Sequence, residues 1–408
     1  MLKPIHSYLN NKEDYGLMNS NYFSKNIIGL KNNKSWSILR NKFIKYNYSL
    51  IQNFFLIKSR KEKNLIIFFK KPILKDRIYT SFNHENSLLL LARLFLLNET
   101  IALSEIDKLF SEEELKILIM ENILICKNSY IESNYRVLAY DNYFFLTDKI
   151  NSIDYNQVYS GYDTFLLLNQ IKNEFFKNLK YNVLDVGSGP GTIAISLFDK
   201  VEKVIGCDIN KRAVEIAMYN IFLNDLSDKN IEFFRCDYRD MLKMYDFDLI
   251  ISNPPYVPVP NNLHDFVPVY CMGGNNGLDF IKDLVQNYYD SNCEKLFFIS
   301  ISNEPKNSSL VELLKNYDFQ VNIDVLSEMS IYSFLYNSQF KAKWIKPMLK
   351  NFKKNNIKNL FFYIVKIKKG KKKIDINILD KKSFFEKLIE YIYYKFKILQ
   401  KIKKLEFG

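Results

Sequence analysis

From about residue 155 onward, the apolar positions of this chain fall into short continuous runs separated by stretches of helical period. Continuous runs suit parallel strands buried on both faces, and alternation of strand with helix is the mark of an α/β sheet. The pattern predicts strands at Asn182–Val186, Val204–Cys207, Ile231–Arg235, Phe247–Ser252 and Lys295–Ser300, with Phe319–Val325 and Leu360–Ile367 as the last two. Helices are expected after a Gly-rich turn through about Phe198, over Lys211–Leu223 and over Gly277–Tyr288. Residues 151–370 therefore read as a Rossmann-like sheet of seven strands, with an insertion at 330–358 and a Lys-rich helical tail at 371–408.

The first 150 residues follow another pattern. Residues 1–80 alternate Asn/Ser/Tyr-rich stretches with apolar clusters such as Phe54–Ile57 and Ile66–Phe69, and carry no motif. Leu88–Leu97 has the length and period of a core helix, and Ser104 is placed to cap a second. Ser111 and Glu114 form a capping box that opens a third helix through about Asn122. Two β-rich runs follow, Ile123–Ile131 and Tyr135–Leu146, separated by Glu132-Ser133-Asn134. Three helices and a hairpin read as a winged-helix-like α+β module at 81–150, a kind of module that binds nucleic acid in some proteins and only packs in others.

Composition narrows the setting. A chain of 408 residues accommodates two or three domains. Its longest apolar stretch, Leu88–Leu97, is interrupted by Arg93 and falls well short of the roughly 20 residues that cross a membrane. The N-terminus lacks an apolar signal core, and the five cysteines form no CxxC pair, so a reduced, cytoplasmic protein is expected. The three histidines are scattered and predict no metal site. The net charge of +13 is uneven: residues 341–408 hold 21 Lys against 5 acidic residues, a net of +16, which leaves −3 for the first 340. This basic end reads either as a patch for a polyanion such as RNA or the ribosome, or as the compositional drift of a chain rich in Lys, Asn, Ile, Phe and Tyr.

The chemistry begins at Leu184-Asp185-Val186-Gly187-Ser188-Gly189-Pro190-Gly191-Thr192, a glycine loop between a strand and a helix. Glycine there lets the backbone turn sharply and approach a ligand closely. Asp208 ends the next strand, where a carboxylate can accept both hydroxyls of a ribose. Asp185 stands just before the loop; it would repel a phosphate but can hold an ammonium or its water, which favours an amino-acid-bearing nucleoside such as S-adenosylmethionine. Asp237 ends the third strand and either accepts from an adenine amino group or caps the helix that follows.

Residues 253–256 read Asn-Pro-Pro-Tyr at the exit of the fourth strand. The Asn253 side-chain oxygen and the Pro254 carbonyl can accept both N–H bonds of a planar amino group, turn its lone pair toward an electrophile and stabilise positive charge on nitrogen. Pro254 and Pro255 fix the loop, and Tyr256 can stack on the planar group. Upstream, Val158-Tyr-Ser-Gly161-Tyr162-Asp163-Thr164 precedes a helix and either closes over the cofactor through Tyr162 and Asp163 or serves as an N-cap.

With these residues, 155–300 resemble class I S-adenosylmethionine-dependent methyltransferases, and within them the release-factor glutamine methyltransferases and their relatives. The resemblance rests on Asp-Val-Gly-Ser-Gly-Pro-Gly, on Asp208-Ile209-Asn210 with Ala213, Ala217 and Asn220, on Asn253-Pro-Pro-Tyr256, and on Gly273-Gly274-Asn-Asn-Gly277-Leu278-Asp279. It implies S-adenosylmethionine as cofactor, held by Asp185, Gly187, Ser188, Gly189, Gly191, Asp208, Ile209, Asp237, Tyr238 and Asn253, and catalysis by Asn253, Pro254, Pro255 and Tyr256. In that group the Gly-Gly-x-x-Gly-Leu segment helps line the acceptor site, and many nucleic-acid amino methyltransferases lack it. The implied reaction is methylation of a glutamine amide in a release-factor or ribosome-associated protein; the alternative is an exocyclic amino group of adenine or guanine in RNA or DNA. The N-terminus, the 330–358 insertion and the basic tail depart from the group's pattern, and oligomeric state stays open.

Overall fold

The computed structural model describes residues 33–54, 71–82, 84, 86–149, 155–172, 180–260, 263, 267–302, 308–337, 342–379, 391–398 and 400. Much of the 1–80 extension and parts of the basic tail thus lie outside the described residues.

The core of the C-terminal part is one sheet. Its strands are β6 (Asn182–Val186), β7 (Lys203–Asp208), β8 (Ile231–Arg235), β9 (Leu249–Ser252), β10 (Lys295–Ser302), β11 (Phe319–Ser330), β12 (Asn359–Lys369) and β13 (Lys373–Ile378). They lie in the order β13-β11-β12-β10-β9-β6-β7-β8. The seven expected strands are all present, and an eighth has joined them. Lys373–Ile378, expected as part of a helical tail, pairs in parallel with β11 as an edge strand. Its Ile374 and Ile376 are half-buried between exposed polar neighbours, the period-2 pattern of an edge strand, which the surrounding lysines obscure in the sequence.

Strands β6 to β10 are mutually parallel, whereas β12 runs antiparallel to both β10 and β11. The chain steps outward through β6, β7 and β8, then returns to lay β9 on the other side of β6. That reversal opens a crevice beyond the carboxyl ends of β6 and β9, the usual place for a ligand in an open parallel sheet. The register sets Asp185 beside Ile251 and Val186 beside Ser252, and the Ser252 hydroxyl donates to the Val186 carbonyl at 2.8 Å. The glycine loop and the Asn-Pro-Pro-Tyr run consequently leave the sheet side by side.

The N-terminal part comprises α1 (Asn33–Lys45), α2 (Lys71–Ser81), α3 (Asn86–Leu91), β1 (Ile101–Ala102), α4 (Leu103–Ile106), α5 (Glu112–Met120), β2 (Leu124–Lys127), β3 (Tyr130–Ser133), β4 (Arg136–Tyr140) and β5 (Tyr143–Thr147). The capping box at Ser111 is present in full. Three expectations need correction. The apolar stretch 88–97 leaves α-geometry for a π turn over Ala92–Leu96, closed by the Leu97 amide on the Ala92 carbonyl. The second helix starts at Leu103, one residue before its expected cap at Ser104. The two β-rich runs are not the arms of one hairpin: each folds back within itself, giving the pairs β2–β3 and β4–β5. The turn at Asn128-Ser129, with φ of 49° and 63°, is marked by the polar Lys127-Asn128-Ser129, a turn signal passed over inside what reads as one β-rich run.

Candidate active site

The remaining helices of the site are α6 (Tyr162–Ile171), α7 (Thr192–Leu197), α8 (Lys211–Leu223), α9 (Tyr238–Met244) and α10 (Asp279–Asp290). Gly191 is the N-cap of α7 in the left-handed region, φ 78°. A Cβ there would sit 2.5 Å from the Phe233 ring, so both the turn and the packing require glycine. Gly187 and Gly189 also have positive φ. The loop is tied to the second strand: the Asp208 carboxylate accepts the Gly189 N–H at 2.9 Å through Oδ2 and the Asn210 N–H at 2.9 Å through Oδ1. Asp208 is half-buried, and its burial raises its pKa while these amides pull it back. A carboxylate has about four lone-pair sites, so beside these amides it keeps acceptor capacity for a hydroxyl of a ligand.

Asp185 is fully buried. Its Oδ2 accepts the Ala194 N–H at 3.1 Å, while Oδ1 is buried with no hydrogen-bond partner among the described residues. Desolvation raises its pKa to about 7, with the neighbouring charge of Asp208 adding to the rise. A buried carboxylate oxygen of this kind needs a proton or a cation. Together with the positive-φ glycines and Asp208, it fits an ammonium-bearing nucleoside. Ile209 is half-buried between Asp208 and Asn210.

The structure gives Asp237 and Tyr238 other bonds. Asp237 caps α9, accepting the Arg239 N–H at 2.9 Å, and pairs with the Arg239 guanidinium. The Tyr238 hydroxyl donates to Asp283 on α10 at 2.5 Å. Of the two readings of Asp237, the helix cap is the one this arrangement displays.

Asn253 and Tyr256 converge on one carboxylate that the sequence marks only as a possible lid or cap. The Asn253 Nδ2 donates to Asp163 Oδ2 and to Thr164 Oγ1, both at 2.9 Å. The Tyr256 hydroxyl donates to the same Asp163 Oδ2 at 2.7 Å. Burial and Asp163 hold the Tyr256 phenol well above its ordinary pKa, so it stays a donor. The Gly273–Gly277 segment backs this motif: Gly273 N–H donates to the Val257 carbonyl at 3.0 Å, Val259 N–H to the Gly274 carbonyl at 2.9 Å. Gly277 has φ +80°, and a Cβ on it would lie 2.4 Å from the Tyr256 carbonyl oxygen.

Sequence reasoning named Asn220 only as part of the family resemblance and passed over Asn224, and neither was expected to hold a strand. Asn220 on α8 and Asn224 at its C-cap, one turn apart, clamp strand β5. The Asn224 side chain accepts from Phe144 N–H and donates to its carbonyl; Asn220 does the same to Leu146 and also donates to the Pro190 carbonyl in the glycine loop. Nothing in their spacing distinguishes them from ordinary helix-face residues.

A strand, glycine loop and helix, an acidic residue ending the next strand, and Asn-Pro-Pro-Tyr at the switch point define a class I methyltransferase. In agreement, the family profile "Methyltransferase small domain" matches residues 158–264. A Methanocaldococcus jannaschii protein assigned as an N5-glutamine methyltransferase is 30% identical over 168 residues, 40% of this chain and 80% of its own length. The chain belongs to the methyltransferase family of that protein, and its methyl donor is S-adenosylmethionine. The release factor glutamine methyltransferase of Flavobacterium psychrophilum is 30% identical over 168 residues, 38% of this chain and 56% of its length. That of Fusobacterium nucleatum is 36% identical over 98 residues, 23% of this chain and 27% of its length. The match thus spans about a quarter to a little over half of these two release factor methyltransferases. Among the described residues no helix is long and apolar enough to cross a membrane, and no group of three or more His, Cys, Asp or Glu is arranged to hold a metal ion.

Proposed function

We propose that the protein transfers a methyl group to the side-chain amide nitrogen of a glutamine in a protein, a release factor or another ribosome-associated factor. The observation that carries this reading is the Gly273–Gly277 segment laid against the Tyr256 backbone, beside relatives named for release-factor glutamine. When bound, S-adenosylmethionine supplies the electrophilic methyl group. In our reading Asp185 Oδ1 accepts its ammonium, Asp208 its ribose hydroxyls, the loop from Gly187 through Ser188 and Gly189 to Gly191 follows its backbone, and Ile209 and Tyr238 flank its base. Asp237, whose two oxygens are engaged by Arg239, would have to exchange part of that pairing to receive the adenine amino group.

At the acceptor, Asn253 Oδ1 and the Pro254 carbonyl take the two N–H bonds of the amide. An amide nitrogen is a poor nucleophile because its lone pair is delocalised. Two aligned acceptors favour the geometry in which that lone pair is directed at the methyl group, and they stabilise the charge that develops on nitrogen. The proton then leaves to solvent, so no buried base is required. Pro255 stiffens the loop, and Tyr256 provides an aromatic face.

A second reading, transfer to an exocyclic amino group of an RNA or DNA base, is supported by the basic residues of the C-terminal quarter and by the N-terminal module, which we read as winged-helix-like. The two part in one experiment: tritiated S-adenosylmethionine is added with the enzyme to a cell lysate, with and without nuclease. Label that migrates with protein and survives nuclease supports the glutamine reading; label lost with nuclease supports the base. We further propose that the basic C-terminal region contacts RNA, as on a ribosome, and that the protein works in the cytoplasm, in keeping with five free cysteines.

A further inference from the structure

We propose that Asp163 and Thr164 are positioning residues for methyl transfer: they fix which way round the Asn253 amide stands, so that its oxygen and not its nitrogen meets the acceptor. The proposal rests on the reading of Asn253 as the group that grips a planar nitrogen.

The two ends of an asparagine amide are nearly equal in size. Half a turn about the last side-chain bond exchanges an acceptor for a double donor, and shape alone does not oppose it; only the hydrogen-bond partners decide. Here the decision is one-sided. Asp163 Oδ2 stands 2.9 Å from the Asn253 Nδ2 and also accepts the Tyr256 hydroxyl, so this oxygen serves only as an acceptor. Reversing the amide would set two acceptor oxygens face to face at that distance. Thr164 Oγ1, also at 2.9 Å, takes the second amide hydrogen. With both hydrogens held, the remaining function of the side chain is Oδ1. A reversed amide would instead present N–H groups to the N–H groups of the acceptor.

The same carboxylate oxygen fixes the far end of the motif. The Tyr256 hydroxyl donates to Asp163 Oδ2 at 2.7 Å, so one atom spans residues 253 and 256 and the two prolines between them. Asp163 is itself confined. A Cβ on Gly161 would lie 2.5 Å from Asp163 Oδ1 and from the Tyr159 ring, Tyr159 is stacked on Tyr270 at 5.2 Å, and Asp163 Oδ1 is buried with no hydrogen-bond partner among the described residues. The first turn of α6 therefore acts on the acceptor grip from behind.

The test compares wild type, Asp163→Ala, Asp163→Asn, Thr164→Val, Asn253→Ala and the Asn253→Ala/Asp163→Ala double variant. Two quantities are measured: the rate of tritiated methyl incorporation into lysate from cells lacking the gene, at saturating S-adenosylmethionine, and the affinity for S-adenosylmethionine by calorimetry. Asp163→Ala is expected to slow labelling about 100-fold, the scale of a misdirected catalytic group, with cofactor affinity changed by less than about threefold. Thr164→Val, nearly isosteric, should slow it about 10-fold in the same pattern, and it carries the test if Asp163→Ala does not fold. The double variant should be no slower than Asn253→Ala alone, because there is then no amide left to orient. Asp163→Asn, which keeps one carbonyl acceptor, should recover part of the rate. Undiminished labelling by Asp163→Ala, or a double variant slower than Asn253→Ala, overturns the positioning role. Loss of cofactor affinity in step with the rate overturns it in favour of a lid that closes on the cofactor. A wild type that labels nothing overturns the transfer reading itself, a result distinct from an active wild type indifferent to Asp163.

Discussion

Asp185 shows how much a single atom's surroundings can demand. Burial raises its pKa from 3.8 to about 7, so the folded chain holds this proton more tightly than the unfolded chain does. Its contribution to stability is therefore fully present below 3.8 and is lost as pH rises toward about 7. A cation delivered to Oδ1 favours the ionised form, so binding should release a proton. Affinity for S-adenosylmethionine should tighten with pH, by up to about tenfold per unit, and level off above the folded pKa. Calorimetry across that range checks this, and Asp185→Asn should flatten the profile; a wild-type profile already flat would remove the ammonium from Asp185. Two neighbouring substitutions should separate the proposed roles. Asn253→Ala should cut labelling to a small residual rate while cofactor binding persists. Asp208→Ala should weaken cofactor binding, through charge-assisted bonds worth roughly 1.5–3 kcal/mol each, and loosen Gly189, whose amide it holds at 2.9 Å. Cofactor loss in the first variant, or intact binding in the second, would reverse the assignments.

At the scale of elements, helix α8 joins the two halves of the molecule. Its Asn220 and Asn224 bind alternate residues of β5 through their amides, much as a neighbouring strand would, and both side chains are buried. Asn220→Ala should leave the Leu146 amide and carbonyl and the Pro190 carbonyl unpaired, at a cost of about 3 kcal/mol. Thermal unfolding should register the loss, and hydrogen exchange at Leu146 should rise. Because Pro190 belongs to the glycine loop, cofactor affinity should fall as well; a variant with normal exchange at Leu146 would deny the clamp. The bounds of α8, β6 and β8 were legible to the residue, since apolar period and capping signals agree there. The hairpins were not: Asn128 and Asp141 adopt positive φ, and the short polar turns Lys127-Asn128-Ser129 and Asp141-Asn142 stand inside segments otherwise so rich in β-formers that each reads as a single strand. The glycine loop, Asp208 and Asn253 could be read because their chemistry is local to one strand end. Asp163 could not: its bonds reach residues 90 and 93 positions away, and an Asp-Thr pair before a helix looks like a cap whatever else it does.

For the whole molecule, the question is where the excess of lysine comes to rest. Both β10 and β11 run antiparallel to β12, so β11 ends at the same edge of the sheet as β6 and β9, beside the proposed site. Helices α12 (Ile331–Asn337) and α13 (Ala342–Lys354), numbered after α11 (Ser309–Leu314), follow β11 there. Asn351 of α13 donates to the Asn275 carbonyl in the glycine segment at 3.2 Å. The basic segment 391–398 also folds onto this end, with Tyr391 against Tyr332 and Tyr394 against Tyr336, each at 5.2 Å. On α13, Lys350, Lys353 and Lys354 are exposed at a spacing that shares one helix face, and Lys358 is exposed beyond its end. The turn from β12 to β13, with Lys371 and Lys372, lies at the opposite edge. If the basic region contacts RNA that carries the acceptor protein, the two sets of lysines must differ. Lys350→Glu/Lys353→Glu/Lys354→Glu should weaken filter retention of total cellular RNA at low salt, flatten its dependence on salt concentration by about three ion equivalents, and slow methyl incorporation from intact ribosomal particles. Lys371→Glu/Lys372→Glu should spare methyl incorporation, because its charges face away from the acceptor edge. Equal losses from both sets would mean that net charge alone is at work; no loss from the α13 set, with RNA still retained, would separate the lysines of the acceptor edge from any part in bringing the substrate there.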